Sequence, residues 1–422
     1  MEGNTMDKAL STKRKWIILA ILAMAGGIIY ELPYIQYTYY KPLQEMLGFD
    51  NATLGSLMTM YGWLAMATYL PGGWMADRFS HRKLIAFSLV GTGLGGFYLA
   101  TAPGLVGARV LFAFWGVTSI LTFWSTLLKA TSLLGDEKEQ GRLFSFLEGG
   151  RGIVTSIAAL SCLAIFNAIG QTGSNFRYII CVYAAVCVLV GVAAFFFMED
   201  NKPTDKKSIN VLKDMWDVAK MPITWLLVIV IFCIYTTYSS SSYMTPYMND
   251  VFGLSAVAAG VVATFRSHIF RPIAGLVGGT VSKKIGSSIV VMLGAILIAI
   301  VALLVLVIAP VNAALVVVIA AITILVGFLL FVLRGLYFAP VGEVGTPKPL
   351  LGAAVGLIST VAFASDIFNF QLLGGILDKN KDTIANGYKQ IFIYMIGLLV
   401  VSFVGLIFLR RTVNKHKAAQ VK

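Results

Sequence analysis

Ionisable side chains interrupt long apolar stretches of this sequence, and they are the residues best suited to chemistry. Five are arginines, three are carboxylates and one is a histidine. Arginine binds a carboxylate or a phosphate through two parallel hydrogen bonds. Carboxylates and histidines in apolar stretches mark proton pathways. These residues are Glu31, Arg109, Glu148, Arg151, Arg266, His268, Arg271, Arg334 and Asp366.

The elements that must position these side chains are helices in a membrane. Of 422 residues, 58% are hydrophobic and 13% are charged, whereas soluble domains carry about 25% charged residues. A helix needs about 20 apolar residues to cross a hydrocarbon core of ~30 Å. Twelve such runs predict an all-α integral membrane protein with 12 transmembrane helices. The runs are residues 16–40, 52–75, 84–102, 106–128, 143–168, 177–198, 223–246, 255–280, 287–309, 313–338, 351–376 and 388–410.

The longest polar segment separates the sixth run from the seventh. It predicts an N-terminal six-helix bundle over 1–198, a cytoplasmic linker over 199–220 and a C-terminal six-helix bundle over 221–422. With the N-terminus inside, the cytoplasmic segments hold 23 Lys and Arg residues and the outer loops hold 5. The positive-inside rule therefore predicts a multi-pass protein of the cytoplasmic membrane with both termini in the cytoplasm.

A nearly constant offset relates the two halves. Gly73 and Gly279, which begin similar turns after the second and eighth runs, are 206 positions apart. Gly55 and Gly260, which follow similar upstream segments, are 205 positions apart. The offset indicates that the second half repeats the first. Parallel six-helix repeats with a substrate site between them near the midplane are a transporter architecture.

The turn after the second run is similar to the signature of the major facilitator superfamily, Gly-x-x-x-Asp-Arg/Lys-x-Gly-Arg-Arg/Lys. Ser80 replaces the second glycine, and serine also suits a turn. The last two basic residues come one place late. The matching residues are Gly73, Asp77, Arg78, Arg82 and Lys83.

This resemblance implies the two-bundle transporter fold of that superfamily, nearest to its organic-anion and sugar-phosphate permease branches. It also implies that the motif is a gating element that latches helix ends together in one conformation. Acidic residues at 136–139 or 199–200 are candidate partners for its cations. A solvated basic loop accounts for Arg82 and Lys83 equally well.

The first and seventh runs, equivalent by the repeat, carry polar faces that predict the wall of a substrate cavity. The repeated Tyr side chains and the four consecutive serines at 239–242 are unsuited to lipid on every side. In transporters of the resembled family these two helices line the cavity. The predicted cavity residues from these runs and the eleventh are Tyr34, Gln36, Tyr37, Tyr238, Ser239 and Asn369.

The eighth run supplies the most central cations, Arg266, His268 and Arg271. At 3.6 residues per turn, the two arginines point about 140° apart. We expect one of them to face the cavity and the other to pair with a carboxylate such as Asp366; which is which stays open.

Glu148 and Arg151 are spaced i,i+3 on the fifth run. Either they form an internal ion pair, or Arg151 faces the cavity and Glu148 carries a proton. Arg109 and Arg334 lie near span boundaries, where a long side chain can reach the interface, and are interpreted as structural.

The excess of cations inside the spans predicts a secondary active transporter of a small organic anion, a carboxylate or a phosphorylated metabolite, working by alternating access. Glu31, Asp366 and Glu148 are the candidates for proton coupling, and exchange is the alternative. A neutral sugar-like solute is the rival substrate, bound by the same Tyr, Ser, Asn and Gln side chains. Drug efflux is disfavoured by the excess of cations.

Other classes of function lack the residues that they need. The histidines are His81, His268 and His416, and no nucleophile–base pair or metal-ligand spacing surrounds them. We therefore expect no enzymatic activity, no metal and no cofactor. The net charge of +13 reflects membrane topology rather than nucleic-acid binding. The expected partners are the lipid bilayer, a small-molecule substrate and protons, and the expected state is a monomer.

Overall fold

The computed structural model describes residues 12–420 apart from positions 136, 200–210, 345, 348 and 349. The described residues form helices and connecting turns, without a β-strand. Nine helices among them are long and apolar enough to cross a membrane. In hydrocarbon a helix satisfies its own backbone N–H and C=O groups, which is why such apolar runs fold this way. The predicted all-α membrane fold is confirmed.

The first six membrane helices follow one another through short turns. Asp50 caps the second of them, its side chain accepting a hydrogen bond from Thr53 N at 2.8 Å, and Thr172 caps the sixth in the same way. The helices are α1 (Thr12–Ile28, continuing as Gln36–Leu47), α2 (Asn51–Arg78), α3 (His81–Ala100), α4 (Leu105–Ser132), α5 (Glu137–Ala168) and α6 (Gly173–Phe197).

The remaining six helices follow a short helix, Val211–Ala219, which packs against the starts of the seventh and eleventh. Gly286 ends the eighth helix with φ +74°, a conformation that glycine adopts without strain. The helices are α7 (Pro222–Asp250), α8 (256–285), α9 (Ser288–Ile308), α10 (Ala313–Glu343), α11 (Leu351–Lys379) and α12 (Ile384–Gln420). Three of these twelve helices are not among the nine that are long and apolar enough to cross a membrane. They are α1, which is interrupted, and α2 and α8, which are less apolar.

Four membrane helices are irregular near their middles. In α1 the residues 29–35 form turns around Pro33, which lacks the N–H that a regular helix needs. A π-helical segment, Val117–Trp124, interrupts α4, and a shorter one, Phe265–Ile269, interrupts α8. A 3₁₀ segment, Phe363–Ile367, interrupts α11. Such segments redirect side chains and are frequent at functional sites.

The molecule has two ends, which we name by their turns. The basic end carries the α2–α3 turn at 79–80, and the opposite end carries the α1–α2 turn at 48–50. The predicted orientation places the basic end in the cytoplasm. That orientation and the division at 1–198, 199–220 and 221–422 stay predictions, and residues 200–210 of the linker lie outside the described residues.

Asp378 of α11 joins the two halves at the opposite end by capping α2. Its Oδ1 accepts hydrogen bonds from Asn51 N at 3.1 Å and Asn51 Nδ2 at 2.8 Å, and its Oδ2 accepts one from Ala52 N at 2.7 Å. A carboxylate at a helix N-terminus satisfies free N–H groups and complements the helix dipole. Beside it, Gly55 and Gly374 let the two backbones touch, because a Cβ at either would overlap the other helix.

A second polar cluster closes the same end between α1, α7 and α12. The Lys41 Nζ atom lies 2.8 Å from Asp250 Oδ1, and the Tyr388 hydroxyl donates to Asp250 Oδ2 at 2.7 Å. The Val257 backbone N–H of α8 donates to Gln171 Oε1 at 3.2 Å. The structure is therefore closed at the opposite end by contacts between the first six and the last six helices.

Replacing Asp378 by Ala is expected to favour opening of the opposite end, because three hydrogen bonds to a charged acceptor are lost. Each such bond contributes about 1.5–3 kcal/mol, so the ratio of open to closed molecules should rise at least about 10-fold. Spin labels are attached at positions 101 and 311, in the α3–α4 and α9–α10 turns, in a cysteine-free background. Opening should lengthen the distance between the two labels, as measured by double electron–electron resonance. Asp382→Ala, at the same end, is the control; equal distances in both variants would contradict the closure role.

Candidate substrate site

The most central cation, Arg266, lies on the π-helical segment of α8 and is 1% exposed. Its Nη2 donates to Thr245 Oγ1 at 2.8 Å, and that hydroxyl donates to the Tyr37 carbonyl at 2.8 Å. Its Nε and Nη1 atoms have no hydrogen-bond partner among the described residues, and no described acidic side chain pairs with it. A buried guanidinium without an anion costs several kcal/mol.

Gly327 of α10 makes room for Arg266. A Cβ at this position would overlap the Arg266 side chain at Cγ. The aliphatic part of the Arg266 side chain therefore packs directly on the α10 backbone. A larger residue at position 327 would exclude it. Gly327 thereby helps to position the guanidinium group.

Arg271 is the more accessible of the two arginines, with 45% of its side chain exposed. Its Nη2 lies 3.7 Å from Glu148 Oε2, while Glu148 Oε1 pairs with Arg151 Nη1. Arg151 also donates from Nε to the Gly26 carbonyl at 3.1 Å. Glu148 thus bridges α5 and α8. The internal pair of Glu148 with Arg151 is present. One helix-eight arginine pairs with a carboxylate, as expected, but that carboxylate is Glu148 and not the suggested Asp366.

Arg334 of α10 faces the same region, which the sequence did not predict. Its guanidinium carbon lies 4.0 Å from the centre of the Tyr238 ring and 5.8 Å from that of Tyr235. Arg334 lies in the last turn of the regular helix Val316–Leu336, which two turn residues separate from the short helix Ala339–Glu343. The interpretation of Arg334 as a structural residue near a span boundary stays a prediction.

Asp366 lies on the 3₁₀ segment of α11 and is 5% exposed. Its Oδ2 accepts a hydrogen bond from the Tyr235 hydroxyl at 2.6 Å. Its Oδ1 has no hydrogen-bond partner among the described residues. The carboxylate therefore keeps one buried acceptor atom that the described residues leave without a donor.

A cavity lies between the two halves, walled largely by aromatic rings. Tyr34 packs edge-to-face on Tyr61 with ring centres 5.2 Å apart, and the Tyr61 hydroxyl lies 2.9 Å from Ser119 Oγ. Tyr69 and Tyr61, both of α2, were missed by sequence reasoning, although a tyrosine far from the membrane interface is itself a signal. The polar and aromatic lining includes Tyr34, Tyr61, Tyr69, Tyr235, Phe363 and Asp366.

Three predicted cavity residues lie elsewhere. Asn369 donates from Nδ2 to Ser239 Oγ and to Ser240 Oγ, each at 3.0 Å, and all three are fully buried. This network holds α7 against α11, so neither Ser239 nor Asn369 reaches the cavity in this conformation. Gln36 is likewise buried in the packing of α1. Tyr37 and Tyr238 lie beside the arginines, next to Thr245 and Arg334 respectively.

Glu31 and His268 stand apart from the other charged groups. Glu31 is half-buried on the interrupted segment of α1, within electrostatic reach of Cys162 and Tyr183 on α5 and α6. His268 is half-buried on the π-helical segment of α8 and makes no hydrogen bond to the described residues. Their proposed roles in coupling and binding stay predictions.

The contacts that the described residues make with the signature motif at the basic end lie inside the first six helices. Asp77 pairs with Lys129 of α4, and Arg78 lies over the Trp74 ring. Arg82 lies over Phe195 of α6, while Lys83 is exposed and Gly73 has no neighbour that a Cβ would meet.

Two of the acidic residues suggested as partners of the motif pair with cations outside it. Glu199 pairs with Arg14 at 3.2 Å and Glu139 with Lys15 at 2.6 Å, both through α1. Positions 136 and 200 lie outside the described residues. The role of the motif as a latch stays a prediction.

The fold and the site together define a class of protein, a helical membrane carrier. Residues of α1, α2, α4, α7 and α11 line a cavity between the two halves, and each of these helices except α2 contains an irregular segment. The described residues contain no group of His, Cys, Asp and Glu that could hold a metal ion.

Residues 16–368 match the Major Facilitator Superfamily, and the chain belongs to that family of transporters. It is 32% identical over 407 residues to the inner membrane protein YqcE of Escherichia coli, covering 94% of this chain and 95% of that one. It is 24% identical over 305 residues to the probable galactarate/D-glucarate transporter GudP of Bacillus subtilis, and the match covers 64% of this chain and 65% of that one.

A solved structure has the same fold. It is that of a bacterial homologue of the human lysosomal transporter Spinster in an inward-facing, unoccupied conformation, with a TM-score of 0.74 and 14% identity over 96% of this chain and 98% of that one. The predicted family and twelve-helix fold are confirmed. The chain is a multi-pass membrane protein.

Adding a methyl group at Gly327 should destabilise the protein, because Arg266 must move. Overpacking of this kind costs about 1–3 kcal/mol, so Gly327→Ala should lower the thermal midpoint in detergent, followed by intrinsic fluorescence. Gly294→Ala is the matched control, since its Cβ meets no neighbour on α9; it should leave the midpoint unchanged or raise it. Equal midpoints for the two variants would show that Arg266 is not held by α10.

Replacing Arg266 by Met should stabilise the protein without ligand. The substitution removes an unpaired buried charge and keeps most of the side-chain volume, and such exchanges gain about 1–4 kcal/mol. Arg271→Met is the control, because that side chain is half exposed and already faces Glu148. A lower thermal midpoint for Arg266→Met than for Arg271→Met would mean that Arg266 is satisfied by groups of the protein.

Proposed function

We propose that this chain carries a small organic anion, a carboxylate or a phosphorylated metabolite, across the cytoplasmic membrane by alternating access. The observation that supports this is the excess of guanidinium groups over carboxylates among the membrane helices. Arg266 has no anion beside it, and Arg334 lies over aromatic rings. Arg271 and Arg151 share the single carboxylate of Glu148. Buried cations of this kind call for a negatively charged ligand.

The accessible arginines, Arg271 and Arg334, would meet the substrate first. Each lies 5.9 Å from the ring centre of Phe331 on α10, so the two cations belong to one region of the packing between α8 and α10. Arg266 lies behind, beyond Tyr37 and Tyr238. We expect Arg266 to bind the substrate anion only after the helices close around it, because Thr245 and Tyr37 link Arg266 to α7 and α1.

Coupling to protons would follow from competition for Arg271. A substrate anion that binds Arg271 displaces Glu148 Oε2, which lies 3.7 Å away. A carboxylate that loses its cation is more readily protonated. Glu148 is therefore the first candidate for the proton carrier, with Asp366 and Glu31 next, and anion exchange is the alternative. We propose a monomer with both termini in the cytoplasm.

The relatives are consistent with an anionic substrate. GudP, a distant relative, is named as a transporter of galactarate and D-glucarate, which are carboxylates. A neutral sugar-like solute is the second candidate, favoured by the tyrosine wall of the cavity. It would leave the unpaired Arg266 without a function.

The test is a thermal-shift screen of the purified protein against carboxylates, phosphorylated metabolites and neutral sugars. An anion should raise the thermal midpoint of the wild type, and Arg266→Ala and Arg271→Ala should abolish the gain. Arg109→Ala is the matched control, because Arg109 binds Ser56 on α2, away from the cavity. If a neutral solute stabilises the wild type and all three variants alike, the anion proposal is wrong.

A further inference from the structure

The surface of the first six helices carries a second cavity, an open groove between α3 and α6. Its volume is about 320 Å³, and it shares no lining residue with the cavity between the halves. Among the residues that line it, Lys83 is charged and the others are apolar. The side chains that form its walls are Lys83, Phe87 and Val90 of α3 and Val192, Phe195 and Phe196 of α6.

The inner end of the groove lies where the two helices touch. A Cβ atom at Gly191 of α6 would lie 2.9 Å from the Cβ atom of Leu89 and 3.0 Å from Cγ2 of Val90. Val90 lies seven positions after Lys83 on α3, which is a rise of about 10 Å. The groove therefore runs from this contact to the first turn of α3, at the basic end.

The walls of the groove are exposed aromatic rings. The exposed fraction is 54% for Phe87, 42% for Phe195 and 73% for Phe196. On the outside of a membrane helix, such rings contact the acyl chains of lipids, which are as apolar as the rings themselves. The groove thus has the shape and the chemistry to hold a segment of an acyl chain.

Two cations lie at the basic end of the groove. The Lys83 side chain is exposed, and it forms no ion pair with the residues that the structure describes. The guanidinium carbon of Arg82 lies 5.2 Å from the ring centre of Phe195, which is part of the wall. Basic side chains at the cytoplasmic surface of a membrane protein attract anionic lipid headgroups. Positive charge and apolar wall therefore adjoin as the phosphate and the chains do in a phospholipid.

We propose that this groove binds one anionic phospholipid from the leaflet at the basic end. The phosphate group binds Lys83 and Arg82, and an acyl chain lies along the rings of Phe87 and Phe196 as far as Gly191. The inference is independent of what the protein transports, since the groove and the cavity between the halves share no lining residue.

The charge at the groove disfavours a zwitterionic phospholipid. A choline or ethanolamine headgroup carries an ammonium group next to its phosphate, and that group would lie near Lys83 and Arg82. Like charges at short range repel each other. A phosphatidylglycerol headgroup has the phosphate without the ammonium group, so the two cations favour it.

A second copy of the chain is the other apolar surface that could cover the groove. Two copies in one membrane share their orientation, so a twofold contact through this face would bring the same residues together at the same depth. The Lys83 side chains of the two copies would then lie close to each other, and so would their Arg82 side chains. This repulsion disfavours the contact.

The test titrates the purified full chain in detergent with phosphatidylglycerol and with phosphatidylcholine that carries the same acyl chains. Native mass spectrometry gives the dissociation constant of the first lipid bound. Phosphatidylglycerol should bind about 10-fold more tightly, because each nearby cation favours the anionic lipid. Glycerophosphoglycerol, the same headgroup without acyl chains, should not displace it at equal concentration.

Replacing Lys83 by Ala tests the charge. The variant should bind phosphatidylglycerol about 5-fold more weakly than the wild type and phosphatidylcholine equally well. Lys284→Ala is the matched control, because Lys284 is an exposed lysine in the last turn of α8 at the same end of the molecule. It should leave both dissociation constants unchanged.

Filling the groove tests the apolar wall. Val192→Trp occupies the space of the chain and keeps the charge, so it should weaken binding of phosphatidylglycerol about 10-fold. Leu297→Trp, at a similarly exposed position on α9, is the control. If Val192→Trp lowers the thermal midpoint in detergent, Phe196→Ala, which removes one wall, replaces it and should weaken binding in the same direction.

Several results would overturn the inference. Equal binding of the two lipids would show that charge does not select the occupant, and unchanged binding by Lys83→Ala would show that this lysine does not hold the phosphate. Unchanged binding by the groove variant, or displacement by glycerophosphoglycerol, would mean that the chain does not use the groove. A dimer mass that disappears in Val192→Trp would assign the groove to contact between two copies.

Discussion

The rest of the structure depends on one unfavourable arrangement, a buried guanidinium that has no negative partner. Hydrocarbon and tightly packed protein both penalise an isolated charge. The protein nevertheless leaves room for Arg266 by placing Gly327 on the neighbouring helix, and it gives the guanidinium a single hydroxyl partner in Thr245. Asp366 is the complementary case, a buried carboxylate with one oxygen satisfied and one free. The described residues satisfy only part of the hydrogen-bonding capacity of each group. This is expected of a binding site in the absence of its ligand.

Irregular helices place these groups. Arg266 and His268 lie on a π-helical segment of α8, Asp366 on a 3₁₀ segment of α11 and Glu31 on the turns that interrupt α1. In a membrane, non-helical backbone is tolerated where it lines a cavity or is buried in protein. The interruptions therefore coincide with the polar centre of the bundle, and regular helix continues toward both ends, where lipid surrounds it.

The two ends of the molecule are held by different kinds of contact. At the opposite end, a carboxylate from one half caps a helix of the other, and glycines let the two backbones touch. Toward the basic end, the link between halves is Glu148, shared between Arg151 and Arg271. The first contact is short-range and shape-dependent, while the second is an ion pair that an incoming anion can replace. This difference suits a carrier that must open one end at a time.

The sequence by itself determined the membrane class, the helical fold and the family, because apolar run length and the loop signature are local properties of the chain. It also identified five candidate functional residues, because polar and charged side chains inside a bilayer carry a cost in free energy. They are Arg266, Arg271, Asp366, Tyr34 and Glu148. Which of them face one another was decided only by the tertiary structure. Arg271 meets Glu148 rather than Asp366, Arg334 lies over the rings of Tyr238 and Tyr235, and Ser239 and Asn369 bond to each other instead of lining the cavity. Helical periodicity gives the direction of a side chain around a regular helix, but the π-helical and 3₁₀ segments change that direction, and partners on other helices cannot be known until the helices pack.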